Sequence, residues 1–555
     1  MSREEHDLDD LERRVAILQR QISELQQSAD PPNGVLFPAS RLQVTASQPV
    51  SALARSALRG SSLILSGEML ATVLNFGTQI LLVRFLTKSD FGAFGFALSI
   101  VLLLRGIALF GVPDTVGRFV PIFHERGDHR SVIGALAVSL ILVLGLGVLL
   151  ASTLMAVIGV TGSDLIADET PRRLAVILAF LIPFEALLEL LTAAFAAFGA
   201  SRAIFVRGSL LTPGLRLVLV VLLYIIGGSV IDFAIGYVVV SLISAVAGML
   251  LFARLIRANV DTSSISLRTV TYPTKHLLTF AAPTAASAVI WLLLESMDTI
   301  LLGHFKGSAA VADYRAVLPA AKLGTIVMFS FGRLYTSAAS RAYACGATSE
   351  LTDLYWRMAT WVAVLTFPFL AIALGLAQPL VEIVFGARYR DSATILSILV
   401  VGYFIHGALG FNGATLRVYH KLKFSVLTDV GAAVANIALS LVLIPAYGAT
   451  GAAIATTSTL AGHNLVKQIG LWRLTGVPPV PVRFVSCYLA IMGGSLAIFA
   501  LTITAQHMAL VAAGIALAII AVSCIGLRSL EFEATFPELP LPQTFRWRER
   551  PRLRR

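Results

Sequence analysis

From Gly60 to Arg528 the chain is an almost unbroken series of apolar runs, each around twenty residues long. Short loops carrying Arg, Lys, Gly or Pro separate them. A run of that length crosses the hydrocarbon core of a bilayer as a helix, and backbone polar groups in lipid must be satisfied within the chain itself. The expected fold is therefore an all-α polytopic membrane protein of about 14 transmembrane helices. The spans read 60–84, 91–113, 132–159, 172–198, 204–227, 231–256, 277–303, 309–336, 354–376, 392–416, 423–446, 448–473, 483–504 and 507–528. Hydrophobic residues make up 57% of the 555 and charged residues 14%, which excludes a soluble globular domain of this size.

The net charge of +11 comes from Arg and Lys between the apolar runs, so it reports topology and implies no nucleic-acid partner. With the N-terminus inside, about eighteen basic residues fall in inner loops. Six fall outside: Lys88, Arg172, Arg173, Lys306, Arg388 and Arg390. That asymmetry places both termini in the cytoplasm and requires an even span number. The N-terminus shows no basic-plus-apolar leader, so the first span is expected to act as an uncleaved anchor. Cys345, Cys487 and Cys524 match no metal or redox spacing, and neither a cofactor nor a metal is expected.

The two tails differ from the body. Residues 1–30 carry Leu8, Leu11, Val15, Leu18, Ile22 and Leu25 at alternating spacings of three and four, an a/d seam. About three heptads make a marginal coiled coil. The segment reads either as a solvated amphipathic helix or as a docking element for itself or for assembly proteins. Residues 31–57 read as a linker, and 529–555 as a basic tail ending RWRERPRLRR, suited to anionic membrane lipids or simply adding to the inner positive charge.

Charges inside the spans are the site candidates, because an ionisable group at that depth is costly. Arg105, Arg216 and Lys322 fall near the middle of the second, fifth and eighth spans. Arg216 follows Thr212-Pro213-Gly214, a run expected to weaken the helix and expose backbone to a cavity. Glu185 has Glu189 as its i+4 neighbour, and Glu295 and Asp298 are i, i+3 partners. An acid held away from water can take up and release a proton during a transport cycle, so Glu185, Glu295 and Asp298 are coupling candidates. The competing reading pairs each acid with one of the three cations. His406 and His463 read as satisfied core residues.

Three stretches resemble the polysaccharide flippases (Wzx-type, polysaccharide transport family) of the multidrug/oligosaccharidyl-lipid/polysaccharide exporter superfamily. The first is Leu82-Val-Arg84-Phe-Leu-Thr-Lys-Ser-Asp90-Phe91-Gly92, with Gly111 and Arg118 beyond it. The second is Asp298-Thr-Ile-Leu-Leu-Gly303 with Tyr314. The third is Asn436, then Leu443-Ile-Pro445-Ala-Tyr447-Gly448-Ala-Thr-Gly451-Ala-Ala-Ile-Ala455. Ile80 to Phe94 also aligns weakly with Ile300 to Tyr314, as a half-chain repeat would. The resemblance implies two six-helix pseudo-repeat bundles (58–256 and 257–475) with two additional helices in 476–528. It also implies alternating access by a polyprenyl-diphosphate-linked oligosaccharide in a bacterial inner membrane.

A cation or drug exporter on the same fold is the main alternative. It would want uncompensated acids, whereas the midplane here holds about as many bases as acids. A membrane polymerase or ligase is disfavoured because the outer loops are short and lack an acid/base pair. A scaffold acting through the N-terminal helix is the third reading.

Overall fold

The computed structural model describes residues 50–161, 166, 168–260, 270–504 and 507–530. The expected helix at 1–30 and most of the linker and tail lie outside these residues. Among the described residues there is helix and turn but no strand.

The first half runs α1 Val50–Phe85, α2 Lys88–Leu109, α3 Val112–Glu125, α4 His129–Thr161, α5 Glu169–Ala179 and α6 Leu181–Ala197. A single turn at Ser201–Ile204 and a π-helical segment at Phe205–Leu211 then lead into α7 Thr212–Ile226, followed by α8 Val230–Asn259. The second half comprises α9 Thr274–Ala344, α10 Thr348–Gly375, α11 Ala377–Phe385, α12 Ser392–Leu409, α13 Phe411–Val418 and α14 Leu422–Thr475. The chain finishes with α15 Val482–Thr504 and α16 Met508–Ser529.

Two of these helices cannot each be one span. At 1.5 Å per residue the 71 residues of α9 would extend roughly 105 Å, several times the hydrocarbon thickness. The chain turns back at Gly307 (φ 75°) in α9 and at Gly448 (φ 59°) in α14, in the left-handed region open to glycine. Each is therefore a pair of spans, α9a (274–306) with α9b (308–344), and α14a (422–447) with α14b (449–475). The α2–α3 and α12–α13 pairs each pass as one crossing, and α5 and α6 meet at a 45° bend. Counted this way thirteen crossings among the described residues are long and apolar enough to span, and α1 is a further helix of 36 residues that would make the fourteenth.

Local chemistry explains the ends. Thr87 caps α2 by accepting from the Asp90 amide at 3.1 Å, and its hydroxyl donates to Asp90 Oδ2 at 2.6 Å. Ser229 and Asp232 close a capping box on α8. Asp128, in the loop before α4, accepts from the Ser131 amide at 3.0 Å, and hydrogen bonding to Ser131 holds its carboxyl below the ordinary value. Pro213 does not unwind its helix as expected: the wider π turn just before it absorbs the missing amide, and α7 continues to Ile226.

In the first half α6 is central, packed by α2, α3, α4 and α8. In the second half α9 packs on α12 and α14, and α10 on α12. The halves meet mainly along α2 and α9. A Cβ on Gly92 would lie 1.7 Å from the Ser308 carbonyl oxygen, so the two helices touch there backbone to backbone. The α15–α16 pair packs on itself and on α10.

Candidate functional site

In the first half, Glu185 of α6 and Arg216 of α7 form an ion pair at 2.5 Å. Ser241 of α8 donates to the same carboxylate oxygen at 2.7 Å, and the Arg216 guanidinium stacks 4.2 Å from the centre of the Tyr237 ring. The cavity cation and the coupling acid expected here are thus partners of one another. Arg207, one of the basic residues counted on the inner side at the start of the 204–227 run, belongs to the π segment; it is 4% exposed and donates to the Thr192 hydroxyl. The extra residue of the π turn rotates it inward. Arg105 is half-buried, and its Nε finds no partner in the protein. Arg315 of α9b, which the sequence reading passed over, donates to the Gly95 carbonyl at 3.1 Å and to Ser99 Oγ at 2.5 Å.

In the second half, Lys322 lies 3.1 Å from Glu295 and 5.6 Å from the centre of the Tyr403 ring. Their side chains are 31% and 45% exposed, so this pair opens onto the space beside it and is not closed in by packing. Asp298 differs: it is 1% exposed, and its partners are uncharged. Ser440 donates to Oδ1 at 2.7 Å, and Thr456 and Tyr314 donate to Oδ2, the latter at 3.4 Å. The Asn436 side chain completes the set. Four helical arms, α9a, α9b, α14a and α14b, therefore converge on one carboxylate.

A cavity of about 1050 Å3 lies between the halves, lined by Glu68, Thr72 and Asn75 of α1, Phe329 and Thr336 of α9b, and Arg417 of α13. Phe329 also borders a smaller pocket of about 100 Å3, into which Lys322, Glu295 and Asn436 face. The two histidines line this pocket and are satisfied: His463 bonds Asp429 at 2.8 Å, which also pairs with Lys467 at 2.7 Å, and His406 meets the Asn464 amide at 3.1 Å.

Residues 57–335, half of the chain, match the model of a family described as polysaccharide biosynthesis protein. The chain belongs to that family. A curated relative is an uncharacterized membrane protein of Methanocaldococcus jannaschii, 26% identical over 186 residues; the match spans 33% of this chain and 36% of the relative. Among solved structures, a lipid II flippase MurJ in an inward closed conformation superposes with a TM-score of 0.64 at 16% identity, covering 84% of this chain and 99% of that one. A multidrug resistance MATE transporter in an inward-facing conformation gives 0.62 at 18% identity, covering 75% and 98%. These likenesses establish the fold.

In this chain the motif residues hold the turns and the seam. Arg84 donates to the carbonyls of Ile383 and Val384, at 3.0 Å to the latter, and Arg388 donates to the Val83 carbonyl. Lys88 pairs with Asp313 at 2.7 Å, and Ser392 donates to that carboxylate at 2.9 Å. These contacts join the halves at the end opposite the large cavity. Tyr314 reaches Asp298, while Pro445, Gly448 and Gly451 build the α14 turn, where a Cβ on Gly451 would lie 2.2 Å from the Leu443 carbonyl oxygen. Arg315, Ser440 and Thr456 were among the residues that sequence reasoning missed. Arg315 carried a usable signal, a cation inside an apolar run, but Ser440 and Thr456 carried none.

Proposed function

We propose that this multi-pass membrane protein is a flippase for polyprenyl-diphosphate-linked oligosaccharides of a cell-surface polysaccharide, acting without covalent chemistry. The observation that carries the reading is the asymmetric cavity between the halves, open space at the Glu68–Arg417 end and polar contacts across the seam at the Lys88–Asp313 end. Membership of a polysaccharide biosynthesis family supports the substrate class. With both tails cytoplasmic, this is an inward-facing arrangement in a bacterial inner membrane. Two bundles, 58–256 and 257–475, would then rock to open the opposite end.

The diphosphate needs cations along its route, and the pocket-facing Lys322 is the strongest candidate, with Arg216 and Arg105 reached as the halves move. Asp298 is the coupling site: a buried carboxylate ringed by the hydroxyls of Tyr314, Ser440 and Thr456 suits a proton or a hard monovalent cation, and it sits where four arms meet. Glu185 and Glu295, held by Arg216 and Lys322, serve mainly as counter-charges.

The test is glycan export in a strain lacking the chromosomal gene. Lys322→Gln should lose export at normal membrane abundance. Undiminished glycan export in the gene-less strain, with new sensitivity to cationic drugs, would replace this reading with the drug exporter.

A further inference from the structure

The pocket of about 100 Å3 beside Phe329 has features that the general cavity does not need. It is far below the roughly 300–1,000 Å3 of a site for a drug-sized molecule, so it can seat one face of a single ring whose other side stays in the open space beside Phe329. One wall presents the Trp291 indole, 41% exposed, and the lip is the Phe329 ring, 61% exposed. Lys322 and Glu295 face in as a neutral pair, offering donors and acceptors without net charge.

Two further atoms decide the ligand chemistry. Asn436 Oδ1 and Thr459 Oγ1 are buried without a hydrogen-bond partner in the protein, on side chains that line this pocket and are 1% and 6% exposed. Buried polar atoms are nearly always paired, so each points to a group supplied from outside. Asn436 Oδ1 can only accept, and it therefore asks for a donor. A cationic drug would want an uncompensated acid, and an inorganic anion would want an uncompensated base. A pyranose brings an apolar C–H face for the indole and a rim of hydroxyls that both donate and accept.

We infer that this pocket is a sugar subsite that takes one pyranose ring, stacked on Trp291 and hydrogen-bonded by Asn436, Thr459 and the Lys322–Glu295 pair. This deepens the flippase reading and rests on it for the origin of the sugar. The subsite also touches the coupling group, since Asn436 and Thr456 line the pocket and both bond Asp298. A ring that engages Asn436 alters the hydrogen bonding of Asp298, so glycan occupancy and ion occupancy are read by the same side chains.

The test uses the full chain in lipid nanodiscs and ligand-side saturation-transfer NMR with free N-acetylglucosamine, galactose, glucose and rhamnose, and with glycerol as the control polyol. At least one pyranose should show saturable transfer and glycerol none. Trp291→Ala should abolish it, Trp291→Phe should keep most of it, and Thr459→Val, equal in shape, should raise the half-saturating concentration about tenfold, as expected when a site hydroxyl loses its partner. No transfer to any pyranose, or transfer unchanged in Trp291→Ala and Thr459→Val, overturns the subsite. Sugar binding with no glycan export would keep the subsite and remove the flippase reading; glycan export by the unaltered protein with no transfer to any pyranose would do the opposite.

Discussion

Arg216 and Lys322 each hold one carboxylate, yet packing encloses the two pairs very differently. The Arg216–Glu185 side chains are 16% and 13% exposed, so removing one partner strands a charge in a dry interior. Arg216→Leu should cost about 3–5 kcal/mol and lower membrane abundance, and adding Glu185→Gln should restore much of it. Thermal unfolding of both variants in detergent checks this. Lys322→Gln breaks a pair that opens onto a pocket and is not closed in by packing, so its effect should fall on transport rather than on folding. Asp298→Asn keeps the shape of the hydroxyl-lined site but not its charge. It should leave abundance intact, cut glycan export at least about tenfold, and flatten the dependence of export on the ion gradient, which inverted vesicles can measure. The charged members of these clusters were legible because a charge inside an apolar run stands out. Their partners were not: Ser440 and Thr456 lie more than 140 residues from Asp298, and Ser and Thr are ordinary in membrane helices. The burial of Arg207 was not legible because no apolar period announces a π turn.

At the scale of elements, the α2–α9b seam sets how tightly the Lys88 end closes. Gly92 and Gly95 let the helices approach until Arg315 bridges to the Gly95 carbonyl. Gly92→Val forces a side chain into the Ser308 backbone and should pry the seam apart. A cysteine at Asp313, now half-buried against Lys88, should then react with an impermeant maleimide several times faster than in the otherwise wild-type protein. An unchanged rate would mean that the seam has given way elsewhere. The sequence located the membrane-length helices, because twenty apolar residues in a row need no partner to be recognised, but it left α3 and α11 between spans, since short helices at the ends of crossings carry no such run. It could not say which pairs touch, since helix contacts in a membrane rest on small residues whose abundance carries no address.

For the whole molecule, the inner and outer ends follow from the distribution of basic residues, and one native thiol tests that assignment. Cys345 is exposed in the turn between α9b and α10, on the side assigned to the cytoplasm. An impermeant maleimide should leave it unlabelled in intact cells and label it after permeabilisation. Asp391→Cys, in the exposed turn before α12 and made in a Cys345→Ser background, should label in both. The reverse pattern would invert the protein and with it the direction of transport. The weak repeat in the sequence sets Thr87, at the break between α1 and α2, against Gly307, at the break within α9.

The turns at Gly307 and Gly448 reverse the chain with a single left-handed residue, so these connections project almost nothing beyond the helix ends. A protease needs a length of extended chain to thread through its active site, and such turns supply none. Digestion from outside should therefore spare both hairpins in folded protein and cut there only after unfolding, which makes these two sites internal reporters of integrity. The same geometry warns against placing an epitope tag at either turn: an inserted loop would have to replace a left-handed glycine on which the pairing of two spans depends.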